Sequence, residues 1–231
     1  MNTTSDVRTL ASRSDRLIDI RAIGKWSAFA TLVLELLYVP VLVVGFIAQG
    51  NFSDPLGDPY LAILEVLILM MAPAMVIMMA AVHAVAAPED KVFSLTAFAF
   101  MVLAAGLTAS VHFVLLTVDR QIDANELPGY DVIFSWEWPS VFYALDIVAW
   151  DLFLGLALLF AAPVFRGRGR LEGNIRRFLA IGGTMCLAGL IGPAVGNIDL
   201  RLIGEFGYWF VFPAVALMLG LYFSRMEPKR E

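Results

Sequence analysis

The chain has 231 residues, 60% of them hydrophobic and only 16% charged, against about 45–50% and 25% in an ordinary soluble domain. The apolar residues gather into six runs of about 20 to 28, each long enough to cross a hydrocarbon core of about 30 Å as a helix. This excludes a soluble domain and predicts an all-α integral membrane protein, a bundle of six transmembrane helices. The formal charge of −5 averages over segments of opposite sign, and the single cysteine, Cys186, excludes an intrachain disulfide or a multi-cysteine metal site.

Residues 1–25 form a polar N-terminal tail carrying Arg8, Arg13, Arg16, Arg21 and Lys25. Leu10, Leu17, Ile20 and Ile23 are spaced for a short interfacial helix, the alternative being an irregular tail with a helical lead-in. No cleavable signal is apparent, since the first apolar run follows this polar stretch and is itself of spanning length. The six-helix domain covers about 26–224, with spans at about 26–48, 60–87, 92–118, 140–165, 178–195 and 206–224, and 225–231 is a short tail.

The first span holds Glu35 and Pro40, and a turn-rich loop, Gln49–Pro59, follows it. The second holds Glu65, His83 and a mid-span Pro73, which removes a backbone donor and predicts a bend. Met71, Met75, Met79 and His83 fall at four-residue intervals, beside Met70 and Met78. Such a stripe has the chemistry to pass Cu(I), but methionine is more often a gap-filler in packed helices.

The third span carries His112 and leads into the longest connection, Asp119–Trp138, which holds Asp119, Asp123, Glu126, Asp131 and Glu137 against Arg120 alone. The fourth span is tryptophan-rich at its entrance, contains Asp146 and Asp151, and is followed by five arginines between Arg166 and Arg177. That basic segment reads as a topology determinant in contact with anionic lipid rather than a nucleic-acid site. The fifth span has Ala180, Thr184, Ala188, Gly192 and Gly196 at strict four-residue intervals, a small-residue ladder for close helix packing within the bundle or, alternatively, against a second copy in a homo-oligomer. The sixth opens with an aromatic belt, Phe206 to Phe212.

Lysine and arginine alternate by side. The tail, the second and fourth loops and the C-terminus hold fourteen, the other three loops two. By the positive-inside rule both termini are cytoplasmic, the long acidic loop is external, and the protein resides in a bacterial inner membrane or a plasma membrane.

On this topology Glu65, His112 and Asp146 lie at a similar shallow depth from the outer face, with Glu205 overlooking them, and Asp151 and Glu35 lie near the midplane. Asp146 and Asp151 are five residues apart, about 140° around an α-helix, which predicts that they face different neighbours or flank a cavity. No lysine or arginine falls inside a predicted span, so the neutralising partner is expected to be a proton, a cation, a histidine or water. The reading is an outward-open acidic cavity lined by Glu65, His112 and Asp146, with Asp151 and Glu35 at its floor. It would bind or transport a small cationic or polar ligand, with proton coupling. The opposing reading has each acid hydrogen-bonded to a helix neighbour such as Tyr38, Thr108, Tyr143 or Trp150 in a non-catalytic scaffold or regulatory subunit. A third has Glu65, His112 and Asp146 as ligands of a metal in an intramembrane hydrolase, weakened by a total of two histidines. His83 and His112 lie near opposite faces, which excludes a bis-histidine haem. No phosphate loop, nucleophile elbow or HExxH pattern is present, and no motif names a family or a cofactor.

Overall fold

The long apolar runs can satisfy their backbone groups only within themselves, and they do so as helices. The computed structural model describes residues 3–50, 56–122, 128–167 and 169–226, with side chains from residue 20 onward. Asp123 and Glu126 of the acidic connection, Arg168, Lys229, Arg230 and the side chains of Arg8, Arg13 and Arg16 lie outside the described residues. Among the described residues there is no strand. Also among the described residues, six helices are long and apolar enough to cross a membrane: Ile20–Gln49, Tyr60–Val85, Pro88–Gln121, Val141–Val164, Arg170–Ala194 and Ile198–Arg225. They are called the first to sixth helix below.

The first belongs to one continuous helix, Thr3–Gln49, so tail and span form a single rod. Helicity continues through Pro40 and Pro73. The fifth and sixth helices begin earlier than their apolar runs. The fifth starts within the arginine-rich segment at Arg170, and the sixth takes in the polar Ile198–Glu205 stretch that reads as a loop.

Each helix packs on its sequence neighbour, and the first closes against the sixth, giving a ring in chain order. One end of the ring is filled by large apolar side chains, among them Met75, Met78, Met79, Met101, Leu154, Leu158, Phe212 and Phe223. The methionine stripe is therefore core filling. Met71, Met75 and Met79 are buried, Met70 faces outward, and His83 instead shares a 2.8 Å hydrogen bond with Ser94. Val33, Leu37, Ile47, Ile77, Leu95, Phe113 and Phe210 give the ring an apolar outer surface. A water-facing surface this apolar would aggregate, whereas acyl chains solvate it.

Glycine sets the spacing around the fifth helix. A Cβ on Gly183 would lie 2.6 Å from the carbonyl oxygen of Gly155, and one on Gly207 would lie 3.1 Å from that of Gly182. One on Gly189 would lie 2.9 Å from the Cα of Gly204. The contact face is thus Gly182, Gly183, Cys186 and Gly189, all buried. This corrects the predicted ladder: Thr184 and Gly196 are exposed, Ala180 and Ala188 are half-buried, and only Gly192 is buried. Strict four-residue spacing drifts about 40° per step around a helix of 3.6 residues per turn, so the five positions wind off any single face.

Gly196 has a different task. Its φ is +74°, the Asn197 N–H donates to the Gly192 carbonyl at 3.0 Å, and the Gly196 N–H donates to that of Pro193 at 3.4 Å. This is a Schellman ending, in which a left-handed residue terminates the helix and turns the chain back. Asn197 then caps the next turn, its Oδ1 accepting from the Asp199 N–H at 3.2 Å. The returning turn, Ile198–Arg201, seats so closely on Gly192 that a Cβ there would be 2.8 Å from the Arg201 nitrogen. That seat brings Arg201 into the ring.

Candidate functional site

The end of the ring opposite the methionine core encloses a cavity of about 500 Å³. Glu35, Tyr38, Glu65, His112, Asp146, Arg201, Glu205 and Tyr208 line it, and its mouth is formed by Leu56, Asp119, Tyr130, Trp136 and Glu137. The first and third connections, both predicted external, surround that mouth.

A chain of polar contacts runs across the wall from the second helix to the sixth. His112 Nδ1 lies 2.5 Å from Glu65 Oε2, and its Nε2 faces Asp146 Oδ1 at 3.7 Å. The other oxygen of Asp146 accepts from Arg201 Nη2 at 3.1 Å. Arg201 Nε donates to Asp151 Oδ2 at 3.1 Å, Nη1 lies 3.4 Å from Glu205 Oε1, and Nη2 is 3.1 Å from the Tyr208 hydroxyl. The guanidinium lies over the Tyr143 ring, 4.8 Å from its centre, and Trp136 packs edge-on against His112 at 5.4 Å. His112 and Arg201 are 1% and 3% exposed, so these contacts are screened far less than surface pairs.

Local structure aims these groups. Ser140 caps the fourth helix by accepting from the Tyr143 N–H at 3.1 Å, setting the register that leads to Asp146. The same helix then widens to i→i+5 bonding over Val148–Leu154. Residues five apart drift away from one another in an α-helix, but the wider turn returns them towards one face. Asp146 and Asp151 consequently meet the same guanidinium, which corrects the expectation that they face different neighbours.

Two further expectations change. Asp151 is not on the cavity floor; it is completely buried behind Arg201, in a slot left by the missing side chains of Gly189 and Gly204. A Cβ on Gly204 would lie 1.9 Å from Asp151 Oδ1. The acids also have a basic partner, Arg201, which the apolar runs assign to a loop because its surroundings, Asn197 to Glu205, are polar. A signal for it exists in the sequence. Arg201, Gly204, Glu205 and Tyr208 are spaced i, i+3, i+4, i+7, one face of a helix entering the membrane.

Glu35 lines the cavity from the first helix at 8% exposure. Its Oε2 is buried without a hydrogen-bond partner, as are His112 Nε2, Asp146 Oδ1 and Asp151 Oδ1. Behind the mouth, Glu35, Glu65, Asp146, Asp151 and Glu205 thus share one guanidinium and one imidazole, leaving three negative charges over when every one of these groups is ionised and His112 is protonated. Among the described residues no three histidine, cysteine or acidic side chains converge to hold a metal ion. Glu65, His112 and Asp146 are instead arranged in line, with His112 between the two acids. At the mouth the Tyr130 hydroxyl donates to Asp119, and Arg120 pairs with Asp58, joining the first and third connections. Burial, then the Asp119 hydrogen bond, push the Tyr130 phenol up to about 12.

The arrangement can hold positive charge, transfer a proton along Glu65, His112 and Asp146, or both. Cys186 is not among the residues lining the cavity and lies buried in the glycine interface. No known protein family matches this chain, and no curated protein or solved structure was found to be similar to it.

Proposed function

We propose that this chain is a multi-pass membrane protein whose acidic intramembrane cavity opens to the outside and binds a small cationic or polar ligand, exchanging protons at the same carboxyl groups. Both termini are cytoplasmic in this reading, as the fourteen-to-two distribution of basic residues requires. The carrying observation is the excess of carboxyl groups over cations around a cavity of about 500 Å³, with Glu35 Oε2 and Asp146 Oδ1 buried without a hydrogen-bond partner. Unpaired charge in a medium of low dielectric constant is costly, so protons, a cation or water must fill the deficit. A pure scaffold has no use for such a deficit, since hydrogen-bonded neutral side chains would pack the same space at lower cost.

The test is infrared titration of the carboxyl stretch in purified protein, wild type against Glu35→Gln, Glu65→Gln and Asp146→Asn, between about pH 5 and 9, the range into which buried acids are commonly moved. A band that titrates in wild type, disappears in one of these variants and shifts when alkali, ammonium or organic cations are added supports the reading. If no such band titrates and no cation alters it, the acids are fixed structural hydrogen-bonding groups and the scaffold reading replaces this one.

A further inference from the structure

The proposed cavity leaves its ligand class open, and its two walls differ in a way that narrows it. One wall is the polar chain from Glu65 to Arg201, whose members are largely committed to one another. Glu65 is bound to His112 at 2.5 Å and Asp146 to Arg201 at 3.1 Å. The other wall is built by the first two helices. Glu35, Val39, Leu42 and Phe46 face it at i, i+4, i+7 and i+11, and Leu61, Leu64 and Ile68 face it from the second helix. Along the first helix this apolar strip reaches about 16 Å from Glu35 towards the mouth, at 1.5 Å per residue. Tyr38, Trp150 and Tyr208 add aromatic rings to the same space.

Resting on the proposed function above, we propose that the cavity binds an amphipathic monoammonium ion, a protonated alkyl or aralkyl amine, with its nitrogen on Glu35 and its apolar body along Val39, Leu42 and Phe46. Glu35 is the anchor because it is more than nine-tenths buried, lines the cavity and has a carboxyl oxygen without a hydrogen-bond partner. An ammonium supplies both the charge and the donors which that oxygen lacks, and aromatic faces attract cations beyond their apolar contact. The strip itself carries no acid between Glu35 and the mouth, where Asp119, Asp131 and Glu137 stand, so the inner ammonium groups of a polyamine would lie against Val39, Leu42 and Phe46. A neutral lipid or alcohol brings no charge of its own and would leave Glu35 to be neutralised by a proton. The cavity volume lies within the roughly 300–1,000 Å³ of sites for ligands of this size.

The experiment titrates octylammonium, butylammonium, octanol and spermidine into the full chain in lipid nanodiscs, read through the fluorescence of Trp136, Trp150 and Trp209, all of which line the cavity. Empty nanodiscs correct for partitioning into lipid. Octylammonium should bind at least tenfold more tightly than octanol, and Glu35→Gln should remove that advantage while leaving octanol unchanged. Leu42→Trp, which fills the strip two turns from Glu35, should weaken octylammonium and spare butylammonium, whose chain is too short to reach it. Equal affinity for octanol and octylammonium, or unaltered octylammonium binding by a folded Glu35→Gln protein, overturns the inference. Spermidine binding without octylammonium binding overturns it too, yet leaves the acidic cavity standing. If none of the four binds and no cavity carboxyl band titrates, both readings fall together.

Discussion

Replacing Arg201 by methionine should be the most damaging single change in the cavity wall. The side chain is 3% exposed and donates at 3.1 Å to both Asp146 and Asp151, the latter completely buried. At an effective dielectric constant of 20, each such contact corresponds to about 5 kcal/mol of Coulomb attraction, most of which offsets the desolvation of the three ions. Methionine keeps much of the volume and removes the compensation, stranding two carboxylates. Breaking a buried pair this way costs about 3–5 kcal/mol. The assay is equilibrium unfolding in mixed micelles, with Arg201→Met, Asp146→Asn, Asp151→Asn and their combinations. Asp151→Asn alone should cost less, about 1–3 kcal/mol, because Arg201 retains Asp146 and Glu205. The Arg201→Met/Asp151→Asn pair should fall short of the sum of the single effects by about 0.5–3 kcal/mol, since one change removes the charge that the other strands. The Arg201→Met deficit should also shrink as pH falls, because protonation neutralises the stranded carboxyl groups and proton uptake by the folded state stabilises it. A loss below about 1 kcal/mol, or strictly additive effects, would refute the claim that Arg201 neutralises this pair.

Gly204→Ala and Gly183→Ala should each destabilise by about 1–3 kcal/mol or more in the same assay, because their Cβ atoms would lie 1.9 Å from Asp151 Oδ1 and 2.6 Å from the Gly155 carbonyl oxygen. Gly106→Ala, with nothing within 4 Å, should be neutral or stabilising by up to about 1 kcal/mol, the helix-propensity difference; equal effects at all three sites would discredit the glycine interface. The raised Tyr130 phenol, at about 12, contributes stability that is present below its unfolded value near 10 and is lost as pH rises through 12. Wild type should therefore lose stability relative to Tyr130→Phe between about pH 10 and 12, and parallel alkaline curves would remove the Asp119 contact from the account. In a Cys186→Ala background, Gly57→Cys and Val132→Cys should react with an impermeant thiol reagent applied to intact cells and Glu89→Cys should not; labelling of the Glu89 site from outside would overturn the proposed orientation.

The residue pattern by itself determined the helical class, the number of spanning-length segments and the acids that line one end of the ring. These follow from local physics: an apolar run of this length has no other way to satisfy its backbone in hydrocarbon, and an acid within it is legible as an exception. Glu35, Glu65, His112 and Asp146 were all readable as cavity candidates on that ground, from depth alone. Tertiary structure decided who neutralises whom. Arg201 looks like a loop residue until the left-handed Gly196 turns the chain back and Gly192 seats the following turn inside the ring. Asp146 and Asp151 look divergent until i→i+5 bonding winds them towards one guanidinium. Gly189 and Gly204, twelve residues before Arg201 and three after it, are inconspicuous as single glycines and have a role only where two backbones approach with Asp151 between them. Each of these depends on a backbone departure from the regular α-helix or on a contact between distant segments, and hydrophobic periodicity carries no information about either.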